Sequence, residues 1–390
     1  MLIYIITFII SCSLLKIANQ INNKILKKTF NILAIIIPCI LAGLRNTKVG
    51  TDVEVYVQQL FYFAKQSSSY NEFLTCKWWW IYRIKYVADF ESAFTLFVYF
   101  TQKLTDNIQM VMFGIQVLIS VPIYCGLKKI DKTKKNIGFA MFIFYFSFFN
   151  VGLNTMRQYI AIAFIFYGTA CLMYDKKNIG TIKFLLNLFI AYFFHNSSIF
   201  SILIYFIYTI LNFNEKKEVF IKINNFRIRL KAVIVIGFTL VSIILILNAN
   251  LFINMFSILG IKDYSGWTSG KITFMASKII RGFPIIIALI ISGKYYVKEN
   301  KNSYMYIIMF VMSLAFAQFA SASTYGERMS YIFQIFNIVL IPELCNAHPN
   351  KNYNIIMKMF FVLYYIFYWY YYFAYANLLS LIQSLIFILL

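Results

Sequence analysis

Long apolar runs separated by short lysine-rich connections constrain this chain more than any other feature. Many of the runs approach 17 to 20 residues, the length a helix needs to cross roughly 30 Å of hydrocarbon. They are continuous and do not alternate, which excludes an outer-membrane-type barrel. Hydrophobic residues make up 61% of the 390, and mean hydropathy is +0.71. The expected fold class is all-α: a polytopic integral membrane protein in one transmembrane domain, 1–390, with about 12 (11–14) helices. Candidate spans are 2–18, 29–44, 108–127, 137–150, 157–174, 182–195, 197–211, 232–248, 280–297, 303–320, 329–345 and 354–376. Residues 92–104 are apolar but short, which suits an interfacial or re-entrant helix. Residues 377–390 are a thirteenth candidate.

Lysine and arginine set the orientation. The connections 16–28, 126–136, 175–183, 212–231, 294–301 and 345–358 carry 4, 5, 3, 6, 3 and 2 of them, which is 23 of the 36. The positive-inside rule makes these cytoplasmic. They alternate correctly only if 92–104 does not cross, and the N-terminus then lies outside. Two longer outer segments follow, the loop 45–107 and the segment 249–279, with seven basic residues in the first and four in 249–281. The outer face also collects Asp52, Glu54, Glu72, Asp89, Glu91, Asp106, Asp263 and Glu327. Trp78, Trp79 and Trp80, followed by Tyr82 and Arg83, suit the headgroup interface or stacking on sugar rings.

The net charge of +22 does not imply nucleic acid, because the basic residues sit in short clusters between apolar runs. Cys12, Cys39, Cys125 and Cys171 lie inside apolar runs, Cys345 ends one, and only Cys76 lies in a polar loop. No cysteine pair has metal-ligand spacing, and His195 and His348 are far apart. The first apolar run lacks a basic leader and a clear small-residue cleavage site, so it reads as a retained helix.

Chemistry concentrates in four places. Gly43 to Tyr56 follows an apolar run and places Arg45, Lys48, Asp52 and Glu54 just where a membrane helix ends, with glycines that permit tight turns. A headgroup-anchoring arginine with a capping aspartate is the plainer alternative. Asn154, Arg157 and Gln158 stand at the outer start of another apolar helix. An arginine there opposes the macrodipole, which an anionic ligand would repair; a snorkelling arginine is the alternative. His195-Asn196-Ser197-Ser198 joins two apolar helices with almost no loop, and a histidine of ordinary pKa can accept a proton near neutrality. Glu327, Arg328 and Tyr331 open the helix that ends at Pro342, and Arg281 precedes Gly282 and Pro284. The alternative for Glu327 and Arg328 is a local ion pair of little worth. Arginines gathered on one membrane face, with few acidic partners close in sequence, suit a multiply charged anion such as a lipid diphosphate.

These blocks carry a resemblance. Gly-Leu-Arg, a short gap, then Val-Gly-Thr-Asp and a tyrosine resembles the signature of the EpsG family, the Wzy-type polymerases of bacterial exopolysaccharide, capsule and O-antigen. Asn-x-x-Arg-Gln at 154–158, His-x-Ser at 195–197 and Arg-x-x-Tyr at 328–331 resemble the later blocks in order. The apolar end, Asn377 to Leu390, departs from the polar tail common in the family. The resemblance implies an inner-membrane glycosyltransferase. A hydroxyl of one undecaprenyl-diphosphate-linked oligosaccharide attacks the anomeric carbon of the growing chain on the periplasmic face, and undecaprenyl diphosphate leaves. Arg45, Arg157 and Arg328 would bind the diphosphate, with Gln158, Arg281 and Tyr331 as further substrate contacts. His195 or Asp52 would be the base, or Asp52 would orient an arginine. No Asp-x-Asp occurs, which agrees with a metal-free site without cofactors. Expected partners are membrane lipids, a flippase and a chain-length regulator. A lipid-linked-oligosaccharide flippase, an O-antigen ligase and a membrane acyltransferase are the alternatives. A flippase calls for a charged central cavity open to both sides and repeated halves, an acyltransferase for donor handling on the cytoplasmic side.

Overall fold

The computed structural model describes residues 2–47, 50, 52–80, 83–133, 135–212, 220–223, 226–247, 273–321 and 326–375. Most of the expected outer segment 249–279, with Asp263, and the candidate span 377–390 lie outside the described residues. So do Lys48 and Tyr82.

In chain order the helices begin with α1 (Leu2–Gln20) and α2 (Lys24–Leu44). A π-helical turn, Val53–Val57, leads into α3 (Gln58–Gln66) and α4 (Tyr70–Thr75). Strands β1 (Lys77–Trp80) and β2 (Arg83–Tyr86) pair antiparallel, with Lys77 opposite Tyr86. Then come α5 (Ser92–Thr105), α6 (Ile108–Ile130), α7 (Ile137–Phe144), α8 (Asn150–Asn154), α9 (Met156–Tyr174) and α10 (Lys177–Phe194). The run continues with α11 (Ile202–Leu211), a second hairpin of β3 (Phe220–Ile223) and β4 (Phe226–Arg229), and α12 (Leu230–Leu247). After these come α13 (Ala276–Glu299), α14 (Ser303–Ala317), α15 (Tyr331–Gln334), α16 (Asn337–Ala347) and α17 (Lys351–Trp369).

Among the described residues seven helical stretches are long and apolar enough to span a bilayer, or eight if the bent pair Glu327–Gln334 and Asn337–Ala347 is one span. The fold is therefore an all-α integral membrane protein. The other expected spans are shorter or more polar. Lys177, Asn178, Lys183 and Asn187 dilute α10, and tyrosines dilute the end of α17. Residues 45–107 are not an open loop: they fold into α3, α4, the tryptophan hairpin and α5. Pro342 does not end its helix. It sits inside α16, and the break falls earlier, with a 46° bend before Asn337. Neighbouring helices tolerate an internal proline at membrane depth by satisfying the freed backbone groups.

The chain divides into two compact units, 1–199 with 362–390, and 200–361. In the first, α9 is the central helix: 83% of its apolar window is buried, against 28% for α1 and for α2. It packs between α6 and α10. An aromatic cluster closes the bundle, with Phe8 stacked on Tyr145 at 5.1 Å and Trp369 edge-on to Phe146 at 6.1 Å. Gly43 lets α2 and α6 approach; a Cβ there would lie 2.8 Å from that of Phe113. In the second unit, α14 packs on α12 and α13, and α13 on α16. Seven of α16's eleven residues are apolar and buried.

Candidate functional site

In the first unit the charged helix ends meet. Arg45 caps the C-terminal end of α2 and is 7% exposed. Its Nη2 donates to the Leu153 carbonyl at 3.3 Å and approaches Met156 Sδ at 3.5 Å. Its Nε has no hydrogen-bond partner among the described residues. Gly50 stands against the same corner with φ +100°, where a side chain would be strained. A Cβ there would also lie 2.9 Å from the Leu153 oxygen and 3.1 Å from Asn154 Oδ1. Arg45 and Gly50 therefore both lie against the break between α8 and α9. The glycine leaves room for that close approach, and Arg45 hydrogen-bonds across it.

At the second residue of α9, Arg157 points into a ring-lined recess. Its guanidinium lies 4.8 Å from the Phe90 ring, 5.5 Å from Tyr56 and 6.0 Å from Phe94. Glu91, at the start of α5, ion-pairs with it and is only 10% exposed. The backbone N–H of Asn196 donates to the other Glu91 oxygen at 3.4 Å. His195 ends α10 beside that contact. Its Nδ1 accepts from the Ser197 N–H at 3.2 Å and meets Ser197 Oγ at 2.9 Å. A neutral ring held this way carries its proton on Nε2. Burial pushes the Glu91 carboxyl up, but the Arg157 guanidinium above all offsets this, so its pKa lies below the ordinary carboxylate value.

Glu91 was visible in the sequence only as one of several outer acids. No local pattern marked it, because its partners lie 66 and about a hundred residues away. Few acidic residues lie close to these arginines in sequence, as expected, and the fold supplies carboxylates to Arg157 and Arg281 from distant segments. Asp52 precedes the π-helical turn at the edge of the same region and is half-buried. Gln158 is buried on α9, 4% exposed. Trp78 stacks on Phe90 at 5.7 Å, while Trp79, on the opposite face of the hairpin, is 72% exposed. Of the two tryptophan readings, interface anchoring and sugar stacking, both need the exposure that Trp79 has.

In the second unit Glu327 is the hub. Its carboxylate binds Lys278 Nζ at 2.6 Å and Arg281 Nη1 at 3.3 Å, both from α13. Glu327 and Arg328 share a short 3-10 turn, and Tyr331 opens α15 behind it. A helix broken at a charged end is where membrane proteins place ligand contacts, because free backbone groups are tolerated only against protein or a wet cavity. Among the described residues no three His, Cys, Asp or Glu side chains converge as a metal site.

The family model for EpsG matches residues 28–385, nearly the whole chain. The chain belongs to the EpsG family. Members of that family are Wzy-type polysaccharide polymerases, and this EpsG-family chain is accordingly a polysaccharide polymerase that acts in the membrane. No curated protein and no solved structure matches it. The four blocks first noticed by resemblance all fall inside the matched range. In this EpsG-family fold the first three of them lie at one end of one bundle.

Proposed function

We propose that the protein polymerises undecaprenyl-diphosphate-linked oligosaccharide repeat units on the periplasmic face of the inner membrane. The observation that carries this is the convergence of Arg157, Glu91 and His195 from three distant segments, beside the buried Arg45. A hydroxyl oxygen of the acceptor unit forms a bond to the donor's anomeric carbon. The bond from that carbon to the diphosphate oxygen breaks, and undecaprenyl diphosphate departs with the bonding pair. Arg45 and Arg157 in the first unit are assigned to phosphate oxygens; Arg281 and Arg328 are candidate anion-binding groups of the second unit, taken by itself. Planar guanidinium groups hold developing diphosphate charge without protonating it.

The acceptor hydroxyl's proton needs a base. Asp52 and His195 are candidates by sequence; the geometry favours a third, Glu91. In the resting site Arg157 holds Glu91 ionised and weakly basic. A donor diphosphate competes for Arg157, and Glu91, released from its partner but still buried, then rises in pKa and accepts the proton. His195, with Nδ1 held by Ser197, serves better as a donor through Nε2, and Gln158 is the further substrate contact proposed in this unit, as Tyr331 is in the other.

The test is polymerisation of purified lipid-linked repeat units by full-length protein, read as rate against pH. Glu91→Gln should lower turnover about 10² to 10⁴-fold, the usual worth of a general base. His195→Gln, which keeps a donor, should retain most activity. If Glu91→Gln is near wild type while His195→Gln is inactive, the base is His195. In cells, a deletion strain should show single repeat units on the acceptor. Loss of all units would instead indicate a flippase or ligase.

A further inference from the structure

A groove between α2 and α6 stands at the other end of these helices from Arg45. The length of α2, 21 residues, separates the two by about 30 Å. The groove has a volume of about 470 Å³, and Lys24, Lys27, Lys28 and Lys128 line its mouth together with Tyr124. Ile32, Ile36 and Val121 form its walls toward the middle of the helices.

The charges here are out of place for a helix on its own. Three of the lysines occupy the first two turns of α2, where the macrodipole disfavours cations. The chain has no acidic residue before Asp52. The nearby carboxylates are committed elsewhere. Asp175 binds Lys129 at 2.7 Å and Lys183 at 2.9 Å, and Asp131 accepts from Thr133 Oγ1 at 2.6 Å and the Asn136 N–H at 2.7 Å. Among the described residues none of the four groove lysines has a carboxylate partner.

We propose that this groove binds an anionic phospholipid: its phosphate among the four lysines, its acyl chain against Ile32, Ile36 and Val121. The amphipathic lining decides for a lipid over a free anion, because a soluble phosphate would have no use for the apolar wall. Basic pockets between membrane helices at headgroup level are suited to this ligand. The site is separate from the polymerase chemistry and does not depend on it.

The experiment uses full-length protein in phosphatidylcholine nanodiscs doped with phosphatidylglycerol, with bound lipid counted by native mass spectrometry. Wild type should retain phosphatidylglycerol over phosphatidylcholine. The fourfold Lys→Gln variant at 24, 27, 28 and 128 should bind it at least about tenfold more weakly, and the fourfold Lys→Arg variant should bind normally. Val121→Phe keeps every lysine but fills the groove, and it should also lose the lipid, so a poorly folded Gln variant leaves the test intact. Equal retention of both lipids, or wild-type retention by Val121→Phe and the Gln variant, overturns the proposal. So does full displacement by millimolar inorganic phosphate, which would make the site one for a free anion.

Discussion

Replacing Glu91 by Gln tests the geometry at the centre of the site without changing side-chain volume. The carboxylate is 10% exposed and the Arg157 side chain 21%. Removing one partner of a fully buried pair costs about 3–5 kcal/mol. Here the arginine keeps partial solvent access and three aromatic faces, so the cost should be about half, roughly 2 kcal/mol. Arg157→Gln should cost a similar amount, because it strands the more deeply buried carboxylate. The double variant loses both charges and should cost little more than either single one. The coupling energy should therefore be about 1–2 kcal/mol. The assay is equilibrium denaturation of the four proteins in mixed micelles. pH provides a second axis. The folded-state pKa of Glu91 is depressed, so its contribution is complete above the unfolded value of roughly 4.3 and is lost as pH falls through the lower folded value. The gap between wild type and Glu91→Gln should close in that acid range. Additive single costs, within about 0.5 kcal/mol, together with a gap independent of pH, would refute the pairing and the release mechanism built on it.

Three further outcomes are expected. Gly50→Ala places a Cβ on a left-handed backbone and 2.9 Å from the Leu153 oxygen, so it should destabilise by about 1–2 kcal/mol or more and shorten polymer ladders, whereas Ser68→Ala should not. Arg45→Met should cost about 1–3 kcal/mol, measured by denaturation, because it leaves the buried Leu153 carbonyl without its donor. Cysteines placed at the exposed Ser68 and Lys132 should respond oppositely to an impermeant thiol reagent in spheroplasts, with 68 labelled; labelling at 132 alone would invert the orientation and with it the assignment of the site.

Hydropathy and charge sufficed for the class of fold, because a bilayer demands continuous apolar helices and records its sides in lysine and arginine. Family membership was also legible, in Gly43–Tyr56, Asn154–Gln158, His195–Ser197 and Arg328–Tyr331, since short blocks at helix ends survive reading without coordinates. The length and strength of individual helices were less so. Lysines and asparagines in α10, and the break before Asn337, depend on neighbours that satisfy or shield polar groups. The site's partners were not legible at all. Arg157 is bound by Glu91, and Arg281 and Lys278 by Glu327, across gaps of 66, 46 and 49 residues. Ion pairs at such separations leave no local signature, because their distance is set by how helices pack and not by spacing along the chain. Only the tertiary structure could show that Arg157 and Arg281, isolated from acids in the sequence, are each paired with a carboxylate from a distant segment.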